Sequence, residues 1–146
     1  MTKSRYKDRV AVITGAADGI GKAIARRLAD EGASIAIWDF NQDKLLALEK
    51  EWQEAGLPVK AFVVDISNEV AVQDAYQASI SHFGKLDILV NSAGIVGPTQ
   101  IKITDYATEE FDKIYNVNLK GSFLTVKYAL KHMEKAQYGR ILLIAS

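Results

Sequence analysis

The sequence predicts an α/β fold organised as a doubly wound parallel sheet. Five short apolar runs alternate along the chain with four longer segments whose apolar residues recur at helical spacing. Such alternation is typical of parallel strands joined by helical crossovers, with helices covering both faces of the sheet. No repeat, low-complexity segment or linker interrupts the pattern, so we expect residues 1–146 to form a single domain.

The individual elements can be placed in order. The first strand covers Val10–Thr14, where uninterrupted apolar and β-branched residues indicate burial on both faces. A glycine-rich turn follows, and then a helix that stops near Gly32. Further strands are predicted over residues 34–38, 59–64, 86–90 and 140–144. Further helices are predicted to begin at the N-caps Asn41, Ser67 and Thr108, the last of them running to about Ala136.

The composition argues against several classes of function. Eighteen basic residues balance eighteen acidic ones, so no net charge favours a nucleic acid or a membrane surface as partner. There is no cysteine, which excludes disulfides and thiolate catalysis. No apolar run approaches the ~18 residues of a membrane span, and the polar start does not resemble a secretory signal. His82 and His132 lie far apart without an arrangement of carboxylates around them, so we predict no metal site and a cytoplasmic protein.

The most informative stretch is the turn Thr14-Gly15-Ala16-Ala17-Asp18-Gly19-Ile20-Gly21. Glycine permits a positive φ and a close approach of backbone to a ligand. The helix that starts inside the turn presents unpaired amides and the positive end of its dipole, which suits a phosphate group. The spacing Gly-x-x-x-Gly-x-Gly differs from the commoner Gly-x-Gly-x-x-Gly fingerprint. A plain strand-to-helix loop is the alternative interpretation.

Asp39 closes the second strand, 24 positions after Gly15. That is close to the ~20-residue spacing expected for the acid that holds the adenine ribose of a dinucleotide. A carboxylate accepts hydrogen bonds from the free ribose hydroxyls and repels a 2′-phosphate, which favours NAD over NADP. No Arg or Lys occurs in the turn before Lys22 or directly after Asp39. The alternative is an aspartate that merely enters a turn.

Two further polar segments follow strands. Asp65-Ile66 comes after the third strand and Asn91-Ser92-Ala93-Gly94 after the fourth. Because the carboxyl ends of parallel strands meet at one edge, we expect both segments near the glycine turn. Asp65 and Ile66 suit the amino group and the ring of adenine, or else Asp65 is an acid leading into the next helix. The small residues of the segment 91–94 suit backbone that lies flat beside a bound ring, and the side-chain amide of Asn91 could also tie its strand to a neighbour.

Together these motifs resemble those of the short-chain dehydrogenase/reductase family. The similarity comprises the glycine turn with Thr14, Asp65, the segment 91–94, Asn118-Leu119-x-Gly121, and the segment from Gly139-Arg140-Ile141 to Ser146. The motifs occur in the family's order and at its spacing across essentially the whole chain, with one departure at Ser92, where a second Asn is more usual. The resemblance implies a Rossmann-like fold and an NAD-dependent oxidoreductase.

The resemblance also implies roles for individual residues. It implies that Asn118 holds a water molecule in a proton relay, the alternative being a solvent-facing residue of a helix. It implies that Ser146 is the catalytic serine that hydrogen-bonds the substrate oxygen. The residues predicted to bind NAD are Gly15, Ala17, Asp18, Gly19, Ile20, Gly21, Asp39, Phe40, Asp65, Ile66, Asn91, Ala93 and Gly94.

The family's catalytic Tyr-x-x-x-Lys pair is missing, because no Tyr is followed four residues later by Lys. In the family this pair lies beyond the position of Ser146. We therefore expect the chain to be the amino-terminal part of a longer enzyme, without the family's carboxyl-terminal strands and helices.

For the parent enzyme we predict interconversion of a secondary alcohol and a ketone on a small polar substrate, with a sugar acid or polyol favoured. Reduction of a 3-oxoacyl thioester is one alternative. A nucleotide-binding module without turnover is the alternative from another class. Members of the family usually form dimers or tetramers, so a homo-oligomer is expected.

Overall fold

A computed structural model describes residues 4–145. Its strands are β1 (Val10–Thr14), β2 (Ser34–Asp39), β3 (Val59–Val63), β4 (Ile88–Asn91) and β5 (Arg140–Leu143). They form one parallel sheet in the order β3-β2-β1-β4-β5. The predicted doubly wound α/β fold is therefore confirmed.

Helices connect the strands and cover the sheet. They are α1 (Gly19–Asp30), α2 (Gln42–Glu54), α3 (Glu69–Phe83), α4 (Thr108–Ile114) and α5 (Ser122–Ala136). A π-helical segment, Tyr115–Gly121, joins α4 to α5, and a short 3-10 turn lies at Ile103–Asp105. Among the residues from 4 to 145, no helix is both long and apolar enough to cross a bilayer.

Successive side chains of the strands point into two separate apolar cores. Ile13 of β1 belongs to the core that α1 and α2 cover, together with Trp52 of α2. Its neighbour Val12 belongs to the opposite core, where Trp38 packs with Leu124 of α5. Burial on both faces explains why the central strands are continuous apolar runs rather than alternating ones.

The order of the strands determines where a ligand can bind. β1 pairs with β2 on one side and with β4 on the other, and the register sets Thr14 opposite both Trp38 and Asn91. The winding of the chain therefore reverses between β1 and β4. In open α/β sheets, ligands bind outside the carboxyl ends of the strands at such a reversal point.

The start of α3 was predicted wrongly. The N-cap is Asn68, whose Oδ1 accepts a hydrogen bond from the Ala71 amide at 3.0 Å. Ser67, the predicted cap, instead donates its hydroxyl to Asp65 at 2.6 Å. The Ser67 hydroxyl is thus bonded to Asp65, and the residue at the capping position is Asn68.

The segment from 108 to 136 also differs from the prediction. Thr108 is the first helical residue rather than the cap, and Ala107 at the N-cap makes no side-chain bond. The predicted single α-helix is interrupted by the π-helical segment. The fourth strand lies at Ile88–Asn91 rather than at residues 86–90, so Asn91 is part of the strand and not of the loop beyond it.

Candidate functional site

The glycine turn between β1 and α1 presses backbone against backbone. A Cβ added to Gly21 would lie 2.2 Å from the carbonyl oxygen of Gly15. Gly15 itself has a φ of +63°, and a Cβ there would lie 2.8 Å from the backbone of Ala93. Neither contact leaves room for a side chain, so glycine is required at both positions.

Gly19 differs from these two glycines because the space beside it is open. Its φ is +54°, and a Cβ built on it would meet no atom within 4 Å. Asp18 is the N-cap of α1, and its Oδ1 accepts a hydrogen bond from the Gly19 amide at 2.8 Å. The next amides of the first turn have no partner within the helix, and the helix dipole adds positive potential. This side of the turn therefore suits an anionic group that approaches the backbone closely.

Asp39 supports the turn from the end of β2. Its Oδ2 accepts a hydrogen bond from the Ala17 amide at 3.0 Å, and its Oδ1 accepts one from the Asn41 amide at 2.9 Å. An ionised carboxylate has about four acceptor sites, so two of them remain for a ligand. The side chain is half-buried, and the adjoining Phe40 is 77% exposed. Asp39 thus places a negative charge directly beside the turn.

Lys44, in the first turn of α2, also reaches the glycine turn. Its Nζ lies 2.8 Å from Asp18 Oδ2. This hydrogen bond lowers the pKa of Asp18 and raises the pKa of Lys44. A shallow pocket of about 270 Å³ between α1 and α2 adjoins the pair, and its lining includes Lys22 and Glu51. Nothing in the sequence indicates the contact, because Asp18 and Lys44 are 26 positions apart.

A buried network of hydrogen-bonded side chains connects the glycine turn to helix α5. Thr14 Oγ1 donates a hydrogen bond to Asn91 Oδ1 at 2.9 Å and accepts from the amides of Ser92 and Ala93, both at 3.1 Å. Asn91 Nδ2 donates to Ser122 Oγ at 2.9 Å. Asn91 is only 1% exposed. Its amide therefore ties β4 to β1 and to α5, which confirms the structural role considered for it.

The π-helical segment places Asn118 against the loop that follows β4. Asn118 Oδ1 accepts from the Ile95 amide at 2.8 Å, and its Nδ2 donates to the Ile95 carbonyl at 2.9 Å. Ser122 Oγ donates to the Asn118 carbonyl at 2.6 Å, and a hydroxyl bonded four residues back in this way distorts a helix. Gly121 adds a close approach to Ile66, whose Cδ1 would lie 2.7 Å from a Cβ there. These two features accompany the departure from α-helical geometry.

Replacing Asn118 by alanine is expected to loosen the backbone at Ile95. Both hydrogen bonds from the side chain to this residue would be lost, so exchange of the Ile95 amide should accelerate about tenfold. Hydrogen exchange measured by NMR checks this. The matched control is Asn116→Ala, which removes an exposed asparagine from the same segment. Equal exchange at Ile95 in the two variants would contradict the prediction.

Comparison with known proteins decides the family. The family model described as short chain dehydrogenase matches residues 9–146. The chain belongs to the short-chain dehydrogenase family.

The (2S)-[(R)-hydroxy(phenyl)methyl]succinyl-CoA dehydrogenase subunit BbsD of Thauera aromatica is 40% identical over 140 residues, which are 96% of this chain and 56% of the relative. The 2-dehydro-3-deoxy-L-rhamnonate dehydrogenase (NAD(+)) of Sphingomonas sp. (strain SKA58) is 36% identical over 142 residues, 97% of this chain and 55% of the relative. A solved structure of NAD+-bound xylitol dehydrogenase has a TM-score of 0.92 at 34% identity, covering 97% of this chain and 54% of that one. The chain thus spans little more than half the length of these proteins.

Short-chain dehydrogenases use nicotinamide coenzymes, and the geometry of the turn fits such a group. The open space beside Gly19 admits a diphosphate close to the backbone. The carboxylate of Asp39 lies beside the turn and has acceptor sites free for a ligand. Both features lie at the reversal point between β1 and β4.

Most of the predicted site residues of this short-chain dehydrogenase lie at the carboxyl ends of the strands, around this reversal point. Hydrogen bonds and backbone contacts connect the glycine turn to Asp39 on one side and to residues 91–93 on the other. Gly94 lies against Asn118, whose Oδ1 would be 3.3 Å from a Cβ on the glycine. The predicted catalytic residue Ser146 lies outside the described residues.

Asp65 and Ile66 lie just beyond the end of β3. Asp65 is exposed, and its Oδ1 accepts hydrogen bonds from the amide and the hydroxyl of Ser67, at 2.9 and 2.6 Å. This local turn is the alternative that the sequence left open for Asp65, and it still leaves acceptor sites free. Ile66 is buried, 5% exposed, against Gly121. A contact between Ile66 and a bound ring would therefore come from its backbone.

Two polar residues of α5 adjoin the site although they belong to none of the sequence motifs. Ser122 and Thr125 lie on the face of α5 that meets β4, and Thr125 is fully buried. Thr125 Oγ1 lies 3.2 Å from Asn91 Oδ1 and 2.9 Å from the Ser122 carbonyl oxygen. Their spacing is the sequence signal that could have identified them, because small polar residues three positions apart on an apolar helix face need buried hydrogen-bond partners.

Proposed function

We propose that the protein is an NAD(H)-dependent oxidoreductase that interconverts a secondary alcohol and a ketone. The observation that carries the proposal is the position of Asp39, whose half-buried carboxylate binds the Ala17 amide of the glycine turn. A carboxylate fixed there accepts hydrogen bonds from two ribose hydroxyls. It also repels a 2′-phosphate, because like charges placed opposite each other at an interface disfavour binding.

The proposed roles of the other binding residues follow from their positions. The amides of Ile20 and Gly21 at the amino end of α1 hold the pyrophosphate, since those of Ala17 and Gly19 already donate to Asp39 and Asp18. Asp65 accepts a hydrogen bond from the amino group of adenine. The small residues Ala93 and Gly94 leave room for the nicotinamide ring beside β4. The bound coenzyme would supply or accept the hydride.

The proposed catalytic residues are Asn118 and Ser146. Ser146 would hydrogen-bond the substrate oxygen as the hydride moves. The side-chain amide of Asn118 is already occupied by Ile95. The main-chain carbonyl oxygen of Asn118 accepts a hydrogen bond from Ser122 Oγ and has a second lone pair. We therefore assign the relay water to this main-chain carbonyl rather than to the side chain.

The test is a substitution of Asp39 by asparagine, which removes the charge and keeps an oxygen that can accept from a backbone amide. The wild type is expected to bind NAD+ at least about tenfold more tightly than NADP+. The variant should narrow this ratio by about tenfold, because the repulsion of the 2′-phosphate is lost. Calorimetric titration of both coenzymes measures the ratio.

Asp65→Asn is the matched control for this experiment. Adenine is common to both coenzymes, so this variant should weaken the binding of NAD+ and of NADP+ alike and leave their ratio unchanged. A wild type that prefers NADP+, or an Asp39→Asn variant with the wild-type ratio, would refute the proposed role of Asp39.

A small polar substrate, with a sugar acid or polyol favoured, is our proposal for the substrate class. It is supported by the relatives named as a deoxy-rhamnonate dehydrogenase and a xylitol dehydrogenase. The 40% identical relative named as a (2S)-[(R)-hydroxy(phenyl)methyl]succinyl-CoA dehydrogenase subunit supports the alternative of a thioester substrate. Turnover assays on both substrate classes, carried out with the parent enzyme rather than with residues 1–146 alone, distinguish the two.

A second function, coenzyme binding without turnover, is proposed for the 146-residue chain by itself. The specific observation is that no Tyr in the sequence is followed four positions later by Lys. That pair would supply the acid that protonates the substrate oxygen. Binding of NAD+ without any oxidation of added alcohols is the expected behaviour of this chain.

We also propose a cytoplasmic homo-oligomer. Support for self-association comes from an apolar stripe along α4, the π-helical segment and the start of α5, where Phe111, Tyr115, Leu119 and Phe123 are between 49% and 61% exposed. Large contiguous apolar patches are uncommon on monomers. The cytoplasmic location is supported by the absence of cysteine from the sequence.

A further inference from the structure

The surroundings of the glycine turn carry more charge than the sequence suggests. Asp18 and Asp39 place two carboxylates beside the turn, and Lys44 is brought to it by the start of α2. A lysine at this place would be a counter-charge for a phosphate on the adenosine ribose. The availability of Lys44 to such a phosphate therefore depends on which groups hold its side chain.

The partner that holds Lys44 is Asp18. The two side chains form an ion pair of 2.8 Å and are 58% and 75% exposed. Exposed ion pairs are weak and open readily, so this lysine is not locked in place. The charge of Asp39 also raises the pKa of Lys44, with a smaller effect than that of Asp18, which shows that the three groups lie within electrostatic range of one another.

We propose that Asp18 is a specificity-determining residue that keeps Lys44 from serving a 2′-phosphate. A phosphorylated ribose would have to compete with Asp18 for the ammonium group, while the unphosphorylated ribose needs only the acceptor sites of Asp39. The inference rests on the proposed function, and it assigns selectivity also to Asp18, which caps α1, and to Lys44 of α2, rather than to Asp39 alone.

The experiment uses Asp18→Asn, because asparagine is as good an N-cap as aspartate. The oxygen that accepts from the Gly19 amide is retained, and only the charge that holds Lys44 is removed. Dissociation constants for NAD+ and NADP+ are measured by calorimetry at low ionic strength, where exposed charges act most strongly. We expect the preference for NAD+ over NADP+ to fall by about two- to fivefold, the range that matches an exposed ion pair.

A second variant shows whether the effect passes through the lysine. Adding Lys44→Met to Asp18→Asn should restore the wild-type ratio. Any general weakening of the α1 terminus affects the pyrophosphate of both coenzymes equally and cancels in this ratio. The matched control is Asp30→Asn, which breaks the 2.9 Å pair with Arg26 at the opposite end of α1 and should leave the ratio unchanged.

Three outcomes would overturn the inference. An unchanged ratio in Asp18→Asn would show that Lys44 does not reach the ribose phosphate. A lowered ratio that persists after Lys44→Met would show that the lysine is not involved. A wild type that binds neither coenzyme would overturn the proposed function together with this inference, whereas NAD+ binding with an unmoved ratio would overturn only the inference.

Discussion

Gly21→Ala is expected to abolish coenzyme binding. The added Cβ would lie 2.2 Å from the carbonyl oxygen and 2.8 Å from the carbonyl carbon of Gly15. Both atoms belong to backbone, and Gly15 is itself held against Ala93, so neither side can move without opening the turn. We expect the affinity for NAD+ to fall by about a hundredfold or more, since even a fraction of this displacement removes several hydrogen bonds to the pyrophosphate.

The control for this variant is Ala23→Gly, at an exposed position of α1. It weakens the helix by about 1 kcal/mol without a steric conflict, so it should lower the thermal midpoint while NAD+ still binds. Calorimetric titration and thermal melting are measured on both variants. Retention of NAD+ affinity within tenfold of wild type in Gly21→Ala would show that the turn can rearrange.

Thr14→Val is expected to lower the free energy of unfolding by about 2–4 kcal/mol. Valine fills the same space but lacks the hydroxyl, which donates to Asn91 Oδ1 and accepts from the amides of Ser92 and Ala93. Thr14 is fully buried, so water cannot replace the lost partners. Leaving buried polar groups unpaired costs more than the hydrogen bonds contribute when formed.

Urea unfolding of Thr14→Val is compared with two further variants. Thr14→Ser keeps the hydroxyl and should recover most of the loss. Thr104→Val makes the same chemical change at an exposed threonine of the 103–105 turn and should stay within about 0.5 kcal/mol of wild type. A loss below about 1 kcal/mol in Thr14→Val would show that the surrounding groups find other partners.

Patterns that are local in the chain predicted much of the fold. The apolar runs of β1 and β2 report their burial directly, because each is covered on both faces. Asn41 was correctly predicted as the N-cap of α2, where its side chain accepts from the Lys44 amide at 3.1 Å. Such signals depend only on neighbours a few residues away, so the sequence contains all that is needed to recognise them.

Features that depend on tertiary contacts could not be predicted in this way. The π-helical segment accompanies the Ser122 hydrogen bond and the close approach of Gly121 to Ile66, and only the second of these joins distant parts of the chain. The pairing of Lys44 with Asp18 depends on where α2 docks beside α1. No periodicity encodes these distances, so the sequence predicted that polar residues gather at the carboxyl edge of the sheet but not the ion pairs and hydrogen bonds that link them.

The hydrogen bonds and backbone contacts that join the turn to Ala93 have a consequence for how the proposed nucleotide site forms during folding. Thr14 and Ala93 are 79 positions apart, and contacts of such long sequence separation form late because the loop between them must first be closed. A nascent chain whose β4 is still inside the ribosome can make β1 and α1 but cannot complete the turn between them. A coenzyme bound at the proposed site would therefore stabilise only chains in which β4 has already docked, and it would not stabilise earlier intermediates.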